Sequence, residues 1–247
     1  TLFQKNLWLF LQGVNKFMKQ QNDTVTLNHP FLMVPSSANY LVEYFARLGY
    51  TLEVHEDWQG LTELLTSTKD YPYEMDLSFT PEGMKQSFGF ALYLKKDNTV
   101  IGTYAAKKNY PTGLKEGMMR IYPELKSEEL PEILKRDDIK YYYSSCQWIH
   151  TDHIGNGLGV ALDLVKKHMV FDLPSTNGRI NYAIHKLNDT MGKYHLNKLH
   201  YTDSVPFATK PNGDFGGAGG KDDIDYGIAW ISKEDFFNKL DQIKSKY

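Results

Sequence analysis

One cysteine in 247 residues, Cys146, excludes an intrachain disulfide and a cysteine-built zinc site, and it suits a reducing compartment. Charge of one sign is not in excess: 28 Lys and Arg stand against 30 Asp and Glu, and a net charge of −2 gives no bulk attraction to nucleic acid or anionic lipid. Long apolar runs are missing too. The opening stretch TLFQKNLWLFLQGVNKFMKQQ is interrupted at Gln4, Lys5, Asn6 and Gln12, so it does not read as a membrane span. These absences describe a cytoplasmic protein without a membrane or nucleic-acid partner, and nothing in them speaks to oligomeric state. What the chain does have is 41% hydrophobic and 14% aromatic residues, enough to bury a sizeable core in one large domain or two small ones.

Periodicity supplies the elements. Phe3, Leu7, Phe10, Leu11, Val14, Phe17 and Met18 recur at helical spacing, and Tyr40, Leu41, Tyr44, Phe45 and Leu48 predict a second helix, with Ser36 and Ser37 as cap candidates and Gly49 as its stop. Tyr50, Leu52 and Val54 alternate as in a strand. Residues 88–94 and 99–106 are two apolar runs joined by Lys95, Lys96, Asp97 and Asn98, which predicts an antiparallel hairpin. From Lys107 to Asp138 the chain is rich in charge, Pro and Gly and reads as an excursion with a short helix near 127–135. YYYSSCQWIH is a buried strand. Leu158, Ala161, Leu162, Val165 and Met169 hold helical spacing until Asp172 and Pro174, and GRINYAIH is another strand. KLNDTMGKYHLNKL reads as a helix, NGDFGGAGGKDD as a loop, DYGIAWI as a late strand, and residues 233–246 as a closing helix.

Between the strand and the helix lies HIGNGLGVAL, with Gly155, Gly157 and Gly159 at alternate positions. Glycine serves where a side chain would block a ligand or where φ must be positive, and a helix start offers unpaired N–H groups to an anion. A phosphate-bearing ligand fits this stretch, and so does a tight turn with no ligand. A P-loop is excluded because no Gly-Lys-Ser/Thr follows. A nicotinamide fingerprint fails at Val160, where its third glycine belongs, and at RINYAIHK, whose His185 and Lys186 stand where an acid would meet the ribose.

In order, the hairpin, buried strand, glycine turn, helix, strand and helix resemble the GNAT acyltransferase superfamily over about residues 86–207, roughly half the chain. LYLKKDNTVIGTYAA is similar to that family's second and third strands, with Val100-Ile101-Gly102 after the turn. WIHTDHIGNGLGVAL is similar to its signature strand, loop and helix, and NYAIHKLNDTMGKYHLNKLHYTD to its last block, ending at Leu199-His200-Tyr201. The resemblance implies an α/β (α+β) fold: a mixed, mostly antiparallel sheet flanked by helices. It divides the chain into an N-terminal helical or mixed extension, 1–85, and an acyl-CoA-binding domain, 86–247.

The same resemblance implies a site. An acyl-CoA, acetyl-CoA first, would lie against Trp148, Ile149, His150, Ile154, Gly155, Asn156, Gly157, Leu158, Gly159 and Asn188, with no metal. Ile154 stands where the family has Arg or Gln, so the backbone N–H groups carry the anion there. Direct transfer to an amine needs a base and an acid for the leaving thiolate, and His150 and Tyr194 are the candidates. The family's tyrosine lies three residues before the final Leu, a count that lands on Leu196; Tyr194 reaches the sulfur only if the helix starts late or holds a local bulge. The acceptor is a small amine or peptide amine. Two further readings stay open: a non-catalytic acyl-CoA-binding module, which Ile154 and Leu196 favour, and a transferase that takes its acyl group from a charged tRNA. Cys146 as a nucleophile, in an apolar strand, is more simply a small buried hydrophobe.

Overall fold

Residues 33–67, 88–108, 132–136, 138–186, 192–210 and 224–247 are described by the computed structural model, and all fall within the unit Phe31–Tyr247. The expected helix at 3–18, Asn188, the 109–131 part of the excursion and the loop NGDFGGAGGKDD lie outside the described residues. Helix α1 is Asn39–Arg47, preceded by a 3₁₀ turn at Ser36–Ala38, and β1 is Thr51–His55. The two serines do not cap α1. Ser37 instead places its Oγ 3.0 Å from Nδ1 of His168, a buried ring that outcompetes the local helix end. Helix α2 is Trp58–Ser67. The hairpin is β2, Phe88–Lys96, and β3, Thr99–Lys108, and its turn is the pair Asp97-Asn98, both at positive φ as the favoured two-residue hairpin turn requires. Lys95 and Lys96, read as turn, continue the strand.

Strand β4 is Tyr141–Ile149, α3 is Leu158–Asp172, β5 is Ile180–Lys186, β6 is Asp203–Lys210 and β7 is Ile224–Ser232. The short helix expected near 127–135 is, in its described part, one 3₁₀ turn at Glu132–Leu134. The closing helix is two pieces, α4 at Lys233–Asn238 and α5 at Leu240–Lys244. Strand β6 is not predicted by the alternation of its residues, which Pro206 interrupts. Proline is tolerated there since β6 is the sheet's edge.

The seven described strands run β1-β2-β3-β4-β5-β7-β6, antiparallel throughout except for β4 and β5. The mixed, mostly antiparallel sheet flanked by helices is the expected fold class. Part of the 1–85 segment is built into this sheet, since β1 pairs with β2 from Thr51↔Lys95 to His55↔Ala91, and Leu41 and Phe45 of α1 share the core cluster of α3. The parallel pair is short: it holds at Tyr141↔Ile180, Tyr142↔Asn181 and Tyr143↔Tyr182, after which β4 runs on to Ile149 beside β3 and β5 to Lys186 beside β7 without pairing to each other. The sheet splays open there.

Helix α3 crosses the back of the sheet and is buried nearly all round, not on the one stripe its apolar residues predict. Its other face carries Asp163, Lys166 and Lys167, each with no exposed surface. Lys166 Nζ lies 2.6 Å from Asp163 Oδ1 and also donates to Ser144 of β4, while Lys167 donates to Asp163 and to the Leu199 carbonyl. Tyr104 and Tyr201 present their rings 4.3 Å and 4.0 Å from the Lys166 and Lys167 ammoniums. Asn181 of β5 completes the set, accepting from Ser144 at 3.1 Å, so side chains bridge β4 to β5 where the backbone ladder stops.

One carboxylate cannot neutralise two ammoniums. Burial drives Asp163 upward, but the two lysines more than reverse this and hold it at about 2, whereas burial and Lys167 outweigh Asp163 and bring Lys166 down to about 7. Between that value and the ordinary lysine range near 10.4, the unfolded chain binds a proton that the folded chain does not, so stability rises with pH. Denaturant unfolding at pH 7, 8 and 9 is therefore expected to show a slope of up to about 1.4 kcal/mol per pH unit from Lys166, which Lys166→Met reduces while the buried, likewise lowered Lys167 keeps its own share. An equal slope in the variant would place the titration elsewhere.

Candidate functional site

The glycine turn joins β4 to α3 at the mouth of the splay. A 3₁₀ turn at Thr151–His153 follows β4, and α3 starts after Gly157, which has φ of +71°. That left-handed backbone is costly for any residue with a Cβ. Among the described residues, none of the backbone N–H groups from Gly155 to Val160 meets a backbone acceptor; the first bond into the helix is Ala161 N–H to the Gly157 carbonyl, 3.0 Å. A Cβ on Gly155 would meet nothing within 4 Å. The turn is thus an open row of donors at the positive end of a fifteen-residue helix.

Two tyrosines from the α1–β1 stretch hold this row from outside. Tyr44 donates its hydroxyl to the Asn156 carbonyl at 2.8 Å, and Tyr50 places its hydroxyl 2.9 Å from His153 Nδ1. Because the C=O of Asn156 and the N–H of Gly157 belong to one planar peptide and point opposite ways, the Tyr44 bond aims that N–H away from Tyr44. No feature of the local sequence marks either residue; the contacts join segments more than 100 positions apart.

Strand β4 brings the remaining candidates. Trp148 pairs with Thr103 and is buried, its ring edge-on to His150 at 6.1 Å. Ile149 packs against Gly102, where a Cβ would come 2.6 Å from Ile149 Cδ1 and 3.2 Å from the Trp148 carbonyl oxygen, so a larger residue there would push the Ile149 side chain aside. Ile149 Cγ1 would also lie 3.7 Å from a Cβ on Gly159. His150 caps the 3₁₀ turn: Nδ1 accepts from Asp152 N–H at 3.3 Å and lies 3.7 Å from Asp152 Oδ2. In the neutral ring this geometry places the proton on Nε2, so a lone pair for an amine becomes available only if the Asp152 contact opens. Leu158 is buried in the core and leaves only its N–H at the turn, while Ile154 is 66% exposed and brings no polar group to it.

Tyr194 stands at the start of a π-helical turn, Tyr194–Lys198, in which Leu199 N–H reaches back five residues to the Tyr194 carbonyl at 3.0 Å. A π turn holds one more residue than an α turn and rotates everything before it. The Tyr194 hydroxyl comes 3.5 Å from Gln147 Nε2 of β4 and would stand 3.9 Å from a Cβ on Gly159, whereas Leu196, the position of the strict count, is 37% exposed. Burial raises Tyr194 above the usual phenol range, and the Gln147 bond works against that rise. Gln147 itself had no signature in the sequence. Cys146 is buried among Leu61, Leu65, Ala91, Tyr93 and Ala105, which agrees with a packing role.

Among the described residues no group of three or more His, Cys, Asp or Glu could hold a metal ion, and no helix is long and apolar enough to cross a membrane. The described chain has, in order, the hairpin, splayed strand, glycine turn and helix that the sequence leads one to expect. No family model and no curated protein matches the chain by sequence. Solved structures similar to it include Arabidopsis thaliana NAA60 in complex with acetyl-CoA, 12% identical over 74% of this chain and 99% of that one, with a TM-score of 0.47. A variant of the spermidine N-acetyltransferase SpeG from Vibrio cholerae is 9% identical over 78% and 98%, TM-score 0.49. The aminoglycoside acetyltransferase AAC(6')-Ib with coenzyme A and kanamycin is 13% identical over 76% and 98%, TM-score 0.45.

Proposed function

We propose that this chain is an acyl-CoA-dependent N-acyltransferase, with acetyl-CoA as donor and a small amine or peptide amine as acceptor. The observation that carries the reading is the row of unpaired N–H groups from Gly155 to Val160 at the mouth of the β4–β5 splay, with the Tyr194 hydroxyl at the same mouth. The row suits the pyrophosphate of CoA, and the unpaired edge of β4 beyond Tyr143 suits the amides and thioester of its arm. The acceptor nitrogen attacks the thioester carbonyl, a C–N bond forms and the C–S bond breaks. The amine's proton passes to a base, for which His150 is the nearest candidate, and the thiolate takes a proton from Tyr194.

Calorimetry with acetyl-CoA followed by a thiol-release screen over amines tests the reading. Binding and release support it, and a folded protein that ignores millimolar CoA overturns it. Binding without release for any amine favours the non-catalytic module instead, a reading supported by the exposed Ile154 where a polar side chain would reach the anion. Tyr44→Phe, which frees the Asn156 carbonyl, is expected to weaken CoA binding about three- to tenfold by the same calorimetry, with melting temperature little changed. Unchanged affinity would remove Tyr44 from the site.

A further inference from the structure

Ser144 and Gln147 are three residues apart on one strand, yet both reach α3: Ser144 bonds Lys166, and Gln147 Nε2 donates to the Gly159 carbonyl at 3.2 Å. Simple alternation would send them to opposite faces. The register explains how they share one. Thr103 pairs with Trp148 and Ala105 with Ser145, so Tyr104 alone opposes both Cys146 and Gln147, and Cys146 takes the inserted position with φ of +55°. The bulge presents Gln147 to the helix start and to Tyr194.

The orientation of that amide is determined by chemistry. The Gly159 carbonyl can only accept, so Gln147 must present its NH₂ on this side, and its second N–H faces the Tyr194 oxygen at 3.5 Å. A phenol oxygen that accepts from an amide keeps its own hydrogen for another partner. We propose that Gln147 is a positioning residue for the acid of this reaction: by donating to the Tyr194 oxygen it leaves the tyrosine's O–H directed at the departing sulfur. The inference rests on the acyl-transfer reading above. An accepted hydrogen bond also stabilises the phenolate that forms when the proton leaves, the direction in which Gln147 pulls Tyr194.

The test uses thiol release from acetyl-CoA with hydroxylamine as the acceptor probe, measured above the uncatalysed rate. Gln147→Leu is expected to lower kcat about tenfold while CoA affinity stays within twofold, and to cause no further loss in a Tyr194→Phe background. Gln147→Glu adds a pH readout. As a carboxylate it accepts the tyrosine's hydrogen and slows release; as pH falls toward 5 it regains an O–H donor and the rate relative to wild type climbs. Losses that multiply in the double variant, a fall in CoA affinity matching the fall in rate, or a flat Gln147→Glu profile would each overturn the proposal. Wild-type protein that binds CoA but releases no thiol overturns the transferase reading and this inference together, whereas an active wild type with independent losses overturns this inference alone.

Discussion

Gly157→Glu is expected to leave a folded protein whose affinity for CoA falls more than about 100-fold, because the substitution acts on the row of donors in two ways. It places a carboxylate at the positive end of α3, where it competes with the phosphates for the same N–H groups and repels them. It also forces a Cβ onto a backbone at φ of +71°, a local strain of about 1–2 kcal/mol that loosens the turn. Space is not the obstacle, since that Cβ would lie 3.6 Å from the Tyr44 hydroxyl, ordinary contact. Gly157→Ala separates the two effects: it carries the strain without the charge and is expected to lose far less affinity. Calorimetry with CoA, beside thermal unfolding of both variants, reads the difference. A Gly157→Glu protein that binds CoA within a few-fold of wild type would mean the phosphates lie elsewhere, and NAD is expected to bind neither protein.

Tyr194→Phe carries the second large effect. If its hydroxyl protonates the thiolate, the variant keeps CoA affinity and loses turnover by about 10²–10⁴-fold, the range of a general acid, with the loss falling on kcat. The phenol is well suited to the role. It is half-buried at the mouth of the splay, raised by that burial so that it is protonated at neutral pH, and touched by Gln147. Turnover within a few-fold of wild type on a confirmed acceptor would reduce Tyr194 to a packing residue and leave solvent as the proton source.

Tyr194 also shows where local reading stops. Counting three residues back from Leu199 lands on Leu196, and the count is sound for an α-helix. The chain instead makes a π turn from Tyr194 to Lys198, closed by Leu199 N–H on the Tyr194 carbonyl. Nothing within those five residues demands the wider turn. What accompanies it is tertiary: His195 is buried, stacked 4.3 Å from His185, and Leu199 is fully buried beneath Lys167. Strand β6 was hidden for a similar reason, because Pro206 argues against a strand everywhere except at an edge, and only the assembled sheet says which strand is the edge.

By itself the sequence determined the elements whose causes lie within a few residues: the hairpin through Asp97-Asn98 and its flanking alternation, the buried strand at YYYSSCQWI, and the glycine turn opening a helix at Leu158. Turn chemistry and periodicity act between near neighbours, so they can be read along the chain. The tertiary structure alone decided what those elements face. It set the pairing of β4 and β5 over only three positions, the bulge at Cys146 that turns Gln147 toward Gly159 and Tyr194, the grip of Tyr44 and Tyr50 on the turn, and the burial of Asp163, Lys166 and Lys167. Each of these joins residues distant in sequence, and each depends on which polar groups find partners once water is excluded, a condition that exists only when the sheet and α3 have come together.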